Sequence, residues 1–446
     1  MLSQRSREKN AWFLEAFKRP LRRQGSSNPS NIDLATAENW LIRPEMLPLL
    51  KKNCKKNLKE KHLSYANGLG GTPELLAAAS TFFNHFFSPV IPVKPEHIVT
   101  GTGLSAVLDT LMNDICDEGD GLLVTAPFWG SFQVSAVLRN SVKLIPVFVP
   151  FHESNSIESV VAAYRTAAEE ADCKVRGILF CNPHNPYGHI CPAEVLDGLL
   201  KYCEEANLHF VSDEIYALSA FGAVDENVTG RGEGLESPAT EFVSVLSRDL
   251  KELGVSGSRV HLLYSISKDL GCSGIRLGCL VTQSNKDLRM SQAILNNAKL
   301  CNAASVMVTP ILQDIPTVTA LVDLNIRKLR RAAMIAIRFA EFHGLTYYKP
   351  AAGLYIWLRL SKDCETAEEE ESLVQRCAEN GALVGSGSDY AEPHAGWFRL
   401  TFALPEADFL EGLRRIEDTI GYKERFQWKK KRWGSVFKKR WQTLCF

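Results

Sequence analysis

The sequence predicts an α/β protein, with a large domain built on a mostly parallel sheet flanked by helices and a smaller α+β domain after it. Three observations carry this expectation. Short β-rich runs alternate with helical patterns from about residue 94 to residue 282, the rhythm of βαβ units whose strands are covered on both faces. A different order, strand, helix, strand, helix, occupies 353–419. The composition is that of an ordinary globular chain, with 446 residues, 45% hydrophobic and 23% charged, which suits two or three domains.

Residues 1–30 are polar and basic, and Gly25-Ser26-Ser27 marks a flexible stretch. Residues 51–61 carry six lysines and one glutamate, a solvated helical face. Ile98-Val99-Thr100 predicts a strand that runs into a helix from Leu104. Leu122–Val124 and Leu144–Val147 predict further strands, and Gly177–Cys181 a strand followed by a helix over 193–206. His209–Ser212, Val260–Tyr264 and Leu277–Thr282 complete the strands of the large domain, the last followed by a helix. One long helical stretch is expected over 311–343. Gly353–Leu358 and Trp397–Phe402 predict strands of the smaller domain, with helices over 365–379 and 405–419. The resulting boundaries are an N-terminal arm with part of the small domain (1–63), a large domain (64–330), the small domain (331–422) and a basic aromatic tail (423–446).

Lys plus Arg equals Asp plus Glu at 51 each, so the formal net charge is zero, which argues against a dedicated nucleic-acid binder. That zero is unevenly spread. Residues 423–446 hold nine Lys or Arg against Glu424 alone, so the remainder of the chain is acidic. Trp433, Phe437 and Trp441 follow at helical spacing. The tail reads as a loose extension, the alternative being an amphipathic helix for an anionic membrane or a partner. The twelve cysteines include no C-x-x-C pair and no zinc-like spacing with His. They predict free thiols in a reducing compartment and no metal site. Arg5, Arg7 and Lys9 are followed by no apolar segment of a secretory signal, and no run of ~18 apolar residues occurs. A cytoplasmic enzyme is the expectation.

Four segments carry chemistry when read together. Thr100-Gly101-Thr102-Gly103-Leu104-Ser105 runs from a strand end into a helix start, where backbone amides and a hydroxyl suit either a helix cap or an anion cradle. Asn182-Pro183-His184-Asn185-Pro186-Tyr187-Gly188 follows a strand and doubles Asn-Pro beyond what a turn requires. Ser212-Asp213-Glu214-Ile215-Tyr216 puts carboxylates at the carboxyl end of a buried strand, where open α/β sheets bind ligands and where an unpaired charge is expensive. Tyr264-Ser265-Ile266-Ser267-Lys268 places a lysine directly after an apolar strand, a candidate for a depressed pKa and Schiff-base chemistry, with Gly274-Ile275-Arg276 close behind.

In this order the segments resemble the pyridoxal 5′-phosphate enzymes of the aspartate-aminotransferase superfamily (fold-type I, class I/II), over roughly residues 32–420. Within it the chain is most similar to 1-aminocyclopropane-1-carboxylate synthase and its fungal-type relatives. Leu34-Ala35-Thr36-Ala37-Glu38-Asn39, Tyr264–Gly271 and Glu392–Arg399 carry that closer match. The resemblance implies a role for each matched residue. Lys268 would carry the cofactor and take the α-proton, Asp213 would hold the pyridine nitrogen protonated, and Asn185 and Tyr216 would hydrogen-bond the phenolic oxygen. Gly103, Leu104, Ser105, Ser265 and Arg276 would hold the phosphate, and Trp129, in Ala126-Pro127-Phe128-Trp129-Gly130, would cover the ring. Tyr65 resembles a tyrosine lent by the neighbouring subunit, which implies a homodimer with a shared active site. Arg399 would clamp the α-carboxylate of a small amino-acid substrate, and Glu38 would stand near its side chain. His184 and His189 stand close enough to the cofactor to be read as an added acid or base, or as turn-lining residues.

The same Lys, Asp, Tyr and Arg would serve transamination, cyclisation of S-adenosylmethionine or γ-substitution. The leading expectation is synthase-like α,γ-elimination or γ-substitution on S-adenosylmethionine or a similar amino acid with a γ-leaving group, motivated by Glu38 and Trp397-Phe398-Arg399. The alternatives are transamination and a catalytically silent, synthase-like binding protein. Cys272-Ser273-Gly274 departs from the Leu-Pro-Gly of the plant enzymes, which leaves the cofactor site intact and bears on the substrate.

Overall fold

A computed structural model describes residues 2–16, 30–222, 224, 233–235, 241–297, 299–361 and 364–428. Helix α1 (Gln4–Ala16) precedes β1 (Ile32–Asp33), α2 (Arg43–Asn57) and α3 (Pro73–Phe86). Thr72 starts α3 by accepting the Leu75 N–H, with Pro73 in the first turn. Leu75, Leu76, Ala79, Phe82 and Phe83 then form one buried face at helical spacing. The large sheet begins with β2 (Ile98–Thr102), α4 (Leu104–Ile115), β3 (Gly121–Ala126), β4 (Lys143–Phe148) and α5 (Ile157–Glu169). It continues through β5 (Val175–Cys181), α6 (Ala193–Glu205), β6 (His209–Asp213), and, past the short β7 (Glu233–Leu235), β8 (Val260–Ser265), α7 (Ile266–Asp269) and β9 (Leu277–Val281).

Seven strands pair in the order β2-β9-β8-β6-β5-β3-β4. Only β9 runs antiparallel, to both β2 and β8. Strands β3, β5, β6 and β8 are largely buried and rich in apolar residues because both faces are covered, whereas the edge strand β4 is mostly exposed or half-buried. On one face Leu123, Ile178, Phe210 and Leu262 pack with α2, α3 and α6. On the other, Leu122, Leu179, Val211 and Leu263 pack with Val107, Leu108, Leu111 and Met112 of α4. This parallel arrangement gathers the carboxyl ends of β3, β5, β6 and β8 at one edge, which is where the site forms.

After α8 (Lys286–Leu295) the expected single helix over 311–343 is two: α9 (Asn302–Gln313) and α10 (Ile315–His343), bent by 90°. The reason is local. Asp314 leaves the helical conformation and accepts the Thr317 N–H at 3.2 Å and the Thr317 hydroxyl at 2.7 Å, and Pro316 in the first turn of α10 could not continue the preceding helix. The start of α10 buries Val318 and Leu321 in the large-domain core, and its remainder, from Leu329 onward, buries residues in the second core. That core includes β10 (Thr346–Tyr348), β11 (Tyr355–Arg359), α11 (Ala367–Glu379), β12 (Ala382–Leu383), β13 (Gly385–Ser386), β14 (Trp397–Thr401) and α12 (Glu406–Ile420). Five strands pair as β13-β14-β11-β10-β7, and β1 pairs with β12, so residues before α2 return to the small domain.

The start of the tail is not loose. The Phe426 N–H donates to Glu417 at 2.7 Å, its ring lies against Phe339 and Phe342, and Trp428 packs on the same core. Trp433, Phe437, Trp441 and Cys445 lie outside the described residues. Every cysteine among the described residues is a free thiol, and most are buried. Among the described residues no group of side chains could hold a metal ion, and no single helix is long and apolar enough to cross a membrane.

The two domains meet where two turns touch. The Phe128 N–H donates to the Tyr390 carbonyl at 2.8 Å. A methyl group on Gly130 would lie 2.0 Å from the Asp389 carbonyl oxygen, so only glycine permits this approach. Gly130→Ala is therefore expected to destabilise the protein by about 1–3 kcal/mol, the range for overpacking a tight contact. A lowered denaturant midpoint measures it, and an unchanged midpoint would show that the turns separate freely.

Candidate active site

The ends of β3, β5, β6 and β8, the start of α4 and the small-domain strand β14 enclose a cavity of about 460 Å³. Lys268 enters it from α7, one turn past the end of β8, and its Nζ donates to the Ala37 carbonyl at 2.6 Å. Withdrawal from water, helped by the like charge of Arg399, lowers this amine from 10.5 to about 8. Asp213 ends β6, is 4% exposed, and accepts the Ile215 N–H at 3.3 Å. Burial pushes its carboxyl up to about 7. Tyr216 is buried edge-on against Tyr355, and burial raises its hydroxyl well above the ordinary value.

Arg399 on β14 is 3% exposed. Its Nη1 donates to Asn185 Oδ1 at 3.0 Å and its Nη2 to the Ala35 carbonyl at 2.5 Å. The rings of Tyr355 and Tyr390 lie 4.9 and 4.8 Å from its central carbon, so the guanidinium is clamped by two aromatic groups. Its Nε has no hydrogen-bond partner.

Opposite, Arg276 adopts the left-handed conformation at φ 57° and donates to the Ser273 carbonyl at 2.7 Å. Gly103 caps α4 at φ 80°, and a methyl group there would meet Arg276 Nη2 at 2.0 Å. Glycine thus lets the guanidinium lie against the helix start. Leu104 and Ser105 line the cavity there, and the first N–H groups of a helix have no acceptor within it. Trp129 lines another wall, edge-on to Phe132 at 5.4 Å.

Three expected residues lie elsewhere. Ser265 is turned away from the cavity, donating to the Leu277 carbonyl at 2.8 Å and capping Ser267, because it closes β8 and starts α7. Ser267 lines the cavity instead, with its hydroxyl 2.7 Å from that of Ser265. Glu38 is drawn aside by Ser273 at 2.6 Å and Arg43 at 2.7 Å. Burial alone would raise the Glu38 carboxyl, and these two partners bring it below its ordinary value. Tyr65 is 86% exposed and borders a separate surface depression with Lys61 and His62. His184 and His189 sit behind the site, and burial lowers them to about 3 and about 4, so both are neutral near pH 7. Tyr390 also lines the cavity, and its one signal in the sequence is its nearness to the segment carrying Arg399.

A buried strand-end carboxyl, a lysine of lowered basicity, a helix-start cradle with an arginine and a second, clamped arginine thus line one cavity. The chain belongs to the aminotransferase class I and II family, whose match covers residues 42–416. It is 64% identical over 428 residues to aminotransferase verI of Clonostachys rogersoniana, covering 96% of this chain and 95% of that protein. It is 40% identical to "Probable aminotransferase gliI" of Aspergillus fumigatus, covering 94% and 96%. A mouse "Probable inactive 1-aminocyclopropane-1-carboxylate synthase-like protein 2" is 30% identical, covering 84% of this chain and 63% of that one. The fold matches an aspartate aminotransferase of Thermus thermophilus crystallised with maleate at a TM-score of 0.72 and 22% identity, covering 94% and 99%.

The residues present fit pyridoxal 5′-phosphate. The Asp213 carboxyl is buried, has one long hydrogen bond and faces the cavity, as a partner for a ring nitrogen requires. The cradle of Gly103, Ser105, Ser267 and Arg276 combines helix-start amides, hydroxyls and a guanidinium, the donor set of a phosphate site.

The raised Asp213 pKa has a stability consequence. A carboxyl kept protonated by burial favours the folded state below its unfolded value of about 3.9, and that contribution is lost as pH rises toward about 7. Cofactor-free Asp213→Asn carries a non-titrating amide. It should therefore gain on the unaltered protein between about pH 4 and about pH 7, by on the order of a few kcal/mol. Denaturant midpoints measured in parallel across that window check this, and parallel curves would mean that Asp213 ionises normally.

Proposed function

We propose that the protein binds an amino acid by its α-carboxylate on Arg399, removes the α-proton with Lys268, and transfers the amino group as an aminotransferase. The observation that carries this reading is one cavity holding an amine lowered to about 8 beside a buried, aromatic-clamped arginine. A base with a pKa near the working pH is efficient at proton transfer. The planar fork of Arg399 holds a carboxylate in a fixed orientation and so aims the Cα–H bond. Asn185 steadies the fork by accepting an Arg399 Nη1 hydrogen bond on its Oδ1. Lys268 exchanges the Ala37 carbonyl for the α-proton as its task begins.

Pyridoxal 5′-phosphate, when bound, supplies the electron sink that makes the α-proton removable. Asp213 would hold the proton at its pyridine nitrogen, and Tyr216 and Asn185 would bond its phenolic oxygen. Ser105, Ser267 and Arg276 would bind the phosphate, and Trp129 would cover the ring.

Loss of a side-chain leaving group, including from S-adenosylmethionine, is the second reading. It is favoured by the match of Leu34–Asn39, Tyr264–Gly271 and Glu392–Arg399 to the synthases. It stands second because Glu38 is engaged with Arg43 and Ser273 and does not line the cavity.

Incubating the loaded enzyme with amino acids and with S-adenosylmethionine, and identifying products by mass, separates the readings. Keto acid together with pyridoxamine 5′-phosphate is expected. Methylthioadenosine or another side-chain fragment, without amino transfer, would replace the first reading by the second. Lys268→Ala should lose about 100- to 10,000-fold in turnover in either case. Arg399→Lys should raise KM more than it lowers kcat, because a lysine cannot reproduce the bidentate fork.

A further inference from the structure

Three positively charged side chains line the cavity among the described residues: Lys268, Arg276 and Arg399. Each already has a task, the first two toward the cofactor and the third toward the α-carboxylate. None is left for a charge on the substrate side chain. Apart from the groups assigned to the cofactor and the α-carboxylate, the lining includes Phe132, Leu383 and Tyr390, together with the solvent-exposed Thr36 and Asp33. The charge these residues bring is negative, on Asp33. Asp33 Oδ1 accepts the N–H groups of Ala35 and Thr36 at 2.8 Å each, which fixes the carboxylate at the entrance. A side-chain carboxylate would lose water against aromatic and aliphatic groups, find no cation, and approach a like charge.

We propose that the enzyme takes monocarboxylic amino acids with a bulky, uncharged side chain and discriminates against aspartate and glutamate. This deepens the reading above and rests on Arg399 as the carboxylate clamp. Discrimination arises both from the apolar wall that accepts the right side chain and from the carboxylate that repels the wrong one.

The test titrates cofactor-loaded enzyme in a calorimeter with two inert probes, 3-phenylpropionate and maleate. 3-Phenylpropionate should bind at least about tenfold more tightly. Thr36→Arg puts a cation at the exposed mouth. It should tighten maleate by about tenfold and leave 3-phenylpropionate within about twofold. Maleate binding as tight as 3-phenylpropionate in the unaltered protein would overturn the proposal, because a cation from outside the described residues or from a second subunit would then reach the mouth. Failure of both probes to bind, or 3-phenylpropionate affinity unchanged in Arg399→Lys, would overturn the clamp reading itself. That pattern is distinct from tight maleate binding.

Discussion

The site depends on holding two cations, Lys268 and Arg399, in one enclosed cavity. Like charges withdrawn from water repel and lose hydration, so the arrangement persists only if other groups accept their hydrogen bonds. The short segment between β1 and α2 does this with backbone alone: the Ala37 carbonyl accepts from Lys268 and the Ala35 carbonyl from Arg399. Neutral carbonyls satisfy the donors without cancelling the charge. The lysine therefore stays depressed, at about 8, and a carboxylate entering the cavity still meets an attractive arginine.

The remaining architecture positions this pair. The parallel strands bring Asp213 and Lys268 to the same sheet edge from separate crossovers, and β14 brings Arg399 from the other domain. Asn39 ties the segment down by donating to the Lys268 carbonyl at 3.0 Å and to Asn325 of α10 at 2.8 Å. Helix α10 runs from one core to the other, so Asn39 links this segment, Lys268 and the element shared by both domains. Glu370 steadies the far wall: it accepts the Ser386 hydroxyl and the N–H groups of Ser388 and Gly396, which flank the turn bearing Tyr390.

Much of this is legible in the chain because strand-end chemistry is local. Apolar runs ending in Asp213 or leading into Lys268 fix both the strand and the side of the sheet on which the group emerges. Arg399 is marked only by the resemblance of Glu392–Arg399 to the synthases, since nothing in its strand by itself points to a site. What the sequence hides is decided by neighbours far along the chain or by one residue of register. Ser265 and Ser267 are equivalent on paper, and the end of β8 selects Ser267 for the cavity. Glu38 is diverted by Arg43 and by Ser273, a residue more than two hundred positions away. Tyr390 matters through a contact between domains. The break at Asp314 carries its cap and proline in the sequence, yet apolar periodicity runs through it and masks the bend.

The cavity lowers the basicity of Lys268. The direct measurement is the rate at which cofactor-free protein takes up pyridoxal 5′-phosphate as a function of pH, with borohydride reduction and peptide mass mapping to locate the attachment. Attachment at Lys268 with a half-maximal rate near about pH 8 is the expected result. Attachment at another lysine, or a half-maximal rate near the ordinary value of 10.5, would show that the cavity does not make Lys268 the reactive amine.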